Sequence, residues 1–175
     1  MKKRTFIHKK LTIRPLEADD MRALLAFVND LIAEDTYLML SGNKMTEEEE
    51  KKYVTDALDR MKKNEKIHMV AAVGDRIVGS ADIRRGDRRK HHIGEIGIAI
   101  LPSYRGQGIG KQLMKILITE GIRMGLRMLM LHCFENNTVA LALYKKLGFI
   151  ECGVLPEAFL WRGKYIGEVT FYKKI

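Results

Sequence analysis

Ile93-Gly-Glu-Ile-Gly-Ile-Ala-Ile-Leu-Pro102-Ser-Tyr-Arg-Gly-Gln-Gly-Ile-Gly110 carries the reading of this chain. Ile96, Ile98, Ile100 and Leu101 form a nearly unbroken apolar run, which predicts a buried strand. Pro102 ends it, having no N–H for a neighbouring strand. Glycines 106, 108 and 110 let the backbone turn tightly and approach a ligand. A helix follows over 108–124, with Leu113, Ile116, Leu117 and Met124 on one face. Its first turn offers unpaired N–H groups and a positive dipole end to an anion, so strand, loop and helix predict a phosphate site.

Spacing excludes two familiar phosphate loops. A dinucleotide fingerprint needs glycine at 111, where lysine stands. A P-loop needs glycine at 105 and serine or threonine at 112, where arginine and glutamine stand.

A chain of 175 residues is read as one domain over 1–175, with 1–9 a flexible basic leader. No apolar stretch reaches transmembrane length and no signal peptide is recognisable, so neither membrane nor export is expected. Cys133 and Cys152 fit neither a disulfide framework nor a zinc pattern and are read as reduced core thiols of a cytoplasmic protein. The net charge of +9 suits a polyanionic ligand, but a solvated surface equally.

Leu11–Pro15 reads as a first strand, with Ala18–Asp20 offering N-caps to a helix ending near Asp35. Thr36 to Lys44 follows as a loop. Thr46 with Glu49 forms a capping box for a second helix, to about Lys63, and Glu47–Glu50 complement its dipole better than they recruit a cationic substrate. Strands over 67–73 and 76–83 turn at Gly74-Asp75. The tip Arg84–His92 is basic, but no aromatic interleaves to stack on bases, so nucleic acid is disfavoured. His91 and His92 are poorly placed to share a metal, and none is expected. A strand over 127–134 implies a parallel crossover. A short helix capped near Asn137 ends at Gly148, and strands over 149–155 and 165–172 close the chain.

Two motifs share a resemblance. Arg105-x-x-Gly108-x-Gly110, and at a matching interval Asn137-x-x-Ala140-x-x-Leu143-Tyr144-x-x-x-Gly148-Phe149, resemble the GNAT superfamily of N-acetyltransferases. Ile13-Arg14-Pro15 and Gly163–Glu168 resemble its ends, so the resemblance spans nearly the whole chain.

The resemblance implies an α/β (α+β) fold: a mixed, mostly antiparallel seven-stranded sheet, helices on both faces, and central parallel strands 93–100 and 127–134 that splay apart. It implies acetyl-CoA as acyl donor, with Gly106, Gln107, Gly108, Ile109, Gly110 and Lys111, beside Arg105, at the pyrophosphate. Ile98, Ala99 and Ile100 would pair with the pantetheine arm like an added strand. Asn137 would bond the cofactor side of the cleft, compatibly with helix capping. Tyr144 would protonate the departing thiolate, and a backbone N–H of the central strand would hold the oxyanion.

The base stays open. Glu95 shares a strand face with Gly97 and Ala99, whose small size leaves room for substrate or water; Glu135 is a second choice, and either can be a surface ion-pair partner. The expected function is acetyl transfer to a primary amine within a ternary complex. The rivals are a catalytically weak acetyl-CoA-binding module and a ribosome- or nucleic-acid-associated basic protein. The acceptor, whether a polypeptide amine, a polyamine or a small amine, is shaped by 36–44 and 161–165, with Glu34, Tyr37 and Glu135 as candidate contacts. A polyamine requires an acidic pocket, for which Glu34, Asp35 and Glu95 are the available groups. A homodimer is left open.

Overall fold

The computed structural model describes residues 10–35, 37–39 and 42–175. The leader expected over 1–9 lies outside the described residues, as do Thr36, Leu40 and Ser41 of the expected loop.

Seven strands form one sheet: β1 (Leu11–Pro15), β2 (Lys66–Val73), β3 (Arg76–Arg85), β4 (Ile93–Ile100), β5 (Met128–Phe134), β6 (Ile150–Trp161) and β7 (Lys164–Lys174). Their spatial order is β1-β2-β3-β4-β5-β7-β6. All neighbours run antiparallel except β4 and β5, because helix α3 (Ile109–Arg123) is the crossover between them.

Alternation of side chains along the strands supplies two cores. On one face Leu113, Met114 and Leu117 of α3 meet Ile83, Ile96, Leu129, Leu131 and Phe171. On the other, α1 (Met21–Glu34) and α2 (Glu47–Lys62) bring Leu24, Phe27, Leu31, Val54 and Ala57 against Val70, Ile77 and Leu101. Gly94 is required in β4: a Cβ there would stand 2.6 Å from Leu126 Cδ1 and 2.7 Å from Ile83 Cγ2.

The capping box at Thr46 and Glu49 forms, with Thr46 N–H donating to Glu49 at 2.9 Å. The predicted cap at Ala18–Asp20 does not. Those residues make a single 3-10 turn, and the Asp20 carboxylate accepts from Arg14 at 2.6 and 2.7 Å instead. That guanidinium holds the Asp20 carboxyl below its ordinary range.

Strand β6 runs six residues past the predicted Leu155. Pro156 is tolerated because β6 is an edge strand and the register slips between Leu155 and Phe159. The same edge position corrects the reading of Cys152, which is exposed, while Cys133 is buried and its thiol is pushed up to about 11 by burial. Among the described residues no helix is long and apolar enough to cross a membrane, and no three His, Cys, Asp or Glu side chains gather as a metal site.

Candidate active site

The site begins where two strands part. β4 and β5 pair from Ile93↔Met128 only as far as Ile96↔Leu131. From Gly97 onward, β4 keeps its partner on the β3 side and loses the one on the β5 side. Backbone N–H and C=O groups there stand open to an amide-rich ligand.

Beyond β4, Pro102–Tyr104 makes one 3-10 turn and the chain enters α3 through left-handed glycines. Gly106 has φ +74 and Gly108 φ +80, and no atom lies within 4 Å of where a Cβ would stand at either. Gln112 N–H donates back to Gly108 O at 3.1 Å, so intrahelical bonding starts only there. The N–H groups of Ile109, Gly110 and Lys111 therefore face out of the helix end, which is a cradle for an anion.

Cradle and opening share a cavity of about 560 Å³. Of the residues expected at the donor, Ile98, Ala99, Ile100, Arg105, Gly106, Gly108, Ile109, Gly110, Lys111, Asn137 and Tyr144 line it. Gln107 does not; its amide donates to Ser103 O at 3.0 Å. Asn137 Oδ1 accepts from Ala140 N–H at 3.2 Å, which fixes the start of α4 (Thr138–Lys146). Arg105 is braced by a pair of bonds to the Glu34 carboxylate at 2.6 and 2.7 Å and by Nε–H to Ile100 O at 2.9 Å.

Tyr144 is buried between Phe149 and Phe171, with ring centroids 6.3 and 5.8 Å away, and burial pushes its phenol up. Its hydroxyl stays protonated at neutral pH and makes no hydrogen bond among the described residues. A protonated phenol at the cavity wall can donate to a charge forming there.

The far end of the cleft is aromatic. Tyr37 stands 4.9 Å from Trp161 and 5.7 Å from Phe134, and Phe134 stacks on Phe159 at 4.0 Å. Phe134, Phe159 and Trp161 wall a second cavity of about 330 Å³, reached past Leu38, which lines both. Trp161 Nε1–H donates to Asp35 O at 3.1 Å, and Arg162 lies 4.5 Å over the Trp161 ring while pairing with Asp35. Trp161 is expected only as part of a connection, and Phe134 and Phe159 are not expected at the site; the i, i+2 spacing of Phe159 and Trp161 in β6 was the available signal.

A family model described as "Acetyltransferase (GNAT) family" matches residues 26–149. The chain belongs to that family. It is similar to a GNAT acetyltransferase of known structure from Streptococcus pneumoniae, with 30% identity, TM-score 0.86, and coverage of 95% of this chain and 100% of that one. A mycothiol acetyltransferase of Geodermatophilus obscurus is 35% identical over 80 residues, 43% of this chain and 26% of that protein. A [ribosomal protein bS18]-alanine N-acetyltransferase of Escherichia coli is 40% identical over 57 residues, 33% of this chain and 38% of that protein. The chain thus spans well under half the length of these two curated relatives. GNAT acetyltransferases use acetyl-CoA, and the open cradle and the unpaired edge of β4 fit its diphosphate and its amide-bearing arm.

The acids fare differently. Glu95 lies outside both cavities, opposite Met130 where β4 and β5 are still paired, and holds Arg84 at 2.7 Å. Glu135 also lies off both cavities, folded over Gly167, where a Cβ would collide with its carboxylate. Glu34, Asp35 and Glu95 do not assemble into an acidic pocket: each is matched by its own arginine, 105, 162 and 84. The basic tip is also partly structural, since Arg85 donates to Asn64 O, His91 O and Met124 O.

Proposed function

We propose that this GNAT acetyltransferase moves the acetyl group of acetyl-CoA directly onto the α-amine of a polypeptide, within a ternary complex. The observation that carries the reading is the single opening between β4 and β5. It has an amide cradle at one end, Tyr144 on its wall and an aromatic chamber at the other. When bound, acetyl-CoA supplies an activated acetyl thioester.

The chain's own groups do the rest. The N–H groups of 109–111 with Lys111 hold a diphosphate, and the open edge at 98–100 fixes the arm that follows it. A backbone N–H of that edge stabilises charge developing on the carbonyl oxygen, worth about 3–4 kcal/mol. Tyr144 donates its proton to the departing sulfur. For the acceptor, the name of the bS18-alanine relative supports a polypeptide N-terminus, as does an aromatic chamber whose rim residues Met39 and Leu160 are exposed. A cytoplasmic setting accords with two free cysteines.

The test is thiol release from acetyl-CoA across peptides, polyamines and small amines, beside calorimetry with coenzyme A. Tyr144→Phe should lower kcat by about 10²-fold while leaving coenzyme A affinity intact. Failure of the chain to bind coenzyme A removes the proposal. Binding without turnover of any amine leaves the binding module in its place.

A further inference from the structure

We propose that His132 is the general base that takes the proton of the acceptor amine, held for that task by Glu168 and Thr170; this rests on the acetyl-transfer reading and names a residue for it.

Register places it. β4 and β5 part after Ile96↔Leu131, so His132 is the first residue of β5 beyond the last pair, beside the start of the opening, although like Glu95 and Glu135 it lines neither cavity. Alternation puts His132 on the face of Met130 and Phe134, while its neighbours Leu131 and Cys133 turn into the core beneath α3. Phe134, two residues on, walls the aromatic chamber and lies 5.7 Å from Tyr37, so the face of His132 is the acceptor's face. Tyr144 comes from the opposite face, in the same buried cluster as Cys133. Adjacent positions of one strand thus carry the proton acceptor and face the proton donor, on opposite sides of the opening.

The imidazole is also oriented. Its Nδ1 lies 3.1 Å from Thr170 Oγ1 and 3.6 Å from Glu168 Oε2, both from β7. Nε2 makes no hydrogen bond among the described residues, and the side chain is 35% exposed. A proton on Nδ1, directed at Thr170 and Glu168, leaves the Nε2 lone pair for the amine, the usual arrangement of a base and its orienting group.

Of the nearby acids, Glu95 holds Arg84, while Glu135 lies against Gly167 with no ion-pair partner among the described residues. Asp82 reaches across Gly97, where a Cβ would lie 2.8 Å from its Oδ1, but it is matched by Lys66 at 3.4 Å and Arg84 at 3.9 Å.

The step balances. Nε2 takes one proton from the acceptor's ammonium, and Glu168 offsets the imidazolium charge. The freed amine lone pair forms the C–N bond to the acetyl carbon, the C–S bond breaks, and sulfur leaves with its electron pair and takes the proton of Tyr144. The nitrogen loses its second proton as the amide forms, restoring the tyrosine hydroxyl through solvent. The imidazolium returns its proton to water, so each turnover releases one.

The experiment uses the full chain, acetyl-CoA and a peptide beginning with alanine. His132→Gln should lower kcat/KM by about 10²-fold or more with coenzyme A affinity unchanged by calorimetry. The loss should shrink below about tenfold when the peptide begins instead with an aminooxy group, whose nitrogen is already unprotonated at neutral pH. Added imidazole should restore part of the rate to His132→Gly. Nitrogen-15 spectra of the free protein should show the Nδ1–H tautomer at His132. Glu168→Gln should weaken that preference and lower kcat with KM unchanged, which keeps the idea testable should the histidine variants misfold. His132→Gln within about threefold of wild type overturns the assignment, as does an Nε2–H tautomer in the free protein. Wild-type chain that binds coenzyme A but acetylates no amine overturns the transfer reading and this assignment with it. That outcome is distinguishable because it appears before any variant is made.

Discussion

Gly108 and Gly94 make a paired experiment that separates the cradle from the scaffold. At Gly108, with φ +80 and no atom within 4 Å of a Cβ position, alanine meets no steric partner. It incurs left-handed strain of about 1–2 kcal/mol, offset by about 0.4–1 kcal/mol from a less flexible unfolded chain. The net cost is about 1 kcal/mol. At Gly94 the new methyl would press on Leu126 and Ile83 at 2.6 and 2.7 Å. Overpacking of that kind costs about 1–3 kcal/mol. Ligand binding should reverse the order. A methyl on Gly108 projects into the space a diphosphate would fill, and losing one charge-assisted hydrogen bond of about 1.5–3 kcal/mol weakens coenzyme A about tenfold to about a hundredfold. Gly94→Ala, beneath the sheet, should leave that affinity alone. Urea unfolding and calorimetry on both variants decide it. Wild-type affinity in Gly108→Ala would show that the diphosphate is held elsewhere.

Other perturbations reach parts of the molecule that the glycines do not. His68 is buried beneath α2, its Nε2 2.8 Å from Ser80 Oγ, and burial lowers its pKa from 6.5 to about 3. The folded ring stays neutral while the unfolded chain takes up a proton, so the stability is intact above pH 6.5 and declines toward pH 3. The advantage of wild type over His68→Gln in urea should shrink by about 2 kcal/mol between pH 7.5 and pH 5, and a constant difference would contradict the burial account. Glu34→Gln removes the carboxylate gripping Arg105. With 41% and 27% of the two side chains exposed, the unfolding free energy should change by less than about 1 kcal/mol in urea, and a larger loss would mean the pair is shielded from water.

Much of the site was legible because local backbone chemistry sets it. Left-handed glycines at 106 and 108, a proline closing β4 and an asparagine capping α4 are each requirements of a few consecutive residues, and each can be read in a row of letters. The acids could not be read that way. Whether Glu95 is available depends on its standing opposite Arg84 across β3 and β4, which is a matter of register between segments separated by a loop. Likewise the aromatic chamber forms only when Tyr37, Phe134, Phe159 and Trp161 arrive from three distant parts of the chain. The length of β6 and the exposure of Cys152 follow from an edge position that no local pattern encodes. Tertiary pairing, rather than propensity, made those decisions.

The distribution of charge then bears on what the acceptor is. A net charge of +9 says little by itself, but the placement of three arginines says more. Arg84, Arg105 and Arg162 each occupy a carboxylate near the cleft, at 2.7, 2.6 and 3.2 Å. A polyamine would have to displace a guanidinium already bound to its carboxylate. The favourable field it needs at several points along its length is therefore absent among the described residues. A polypeptide terminus needs only one deprotonation and room for the chain behind it. In the proposed mechanism the Glu168–His132 pair, just beyond the last β4–β5 pair, serves the first need, and the chamber walled by Phe159 and Trp161 serves the second. Lys111 and the amide groups of α3 concentrate positive potential at the opposite end, where a diphosphate belongs. One end of the cleft thus favours an anion, while the other carries paired charges and aromatic walls, an asymmetry that suits the proposed transfer from coenzyme A.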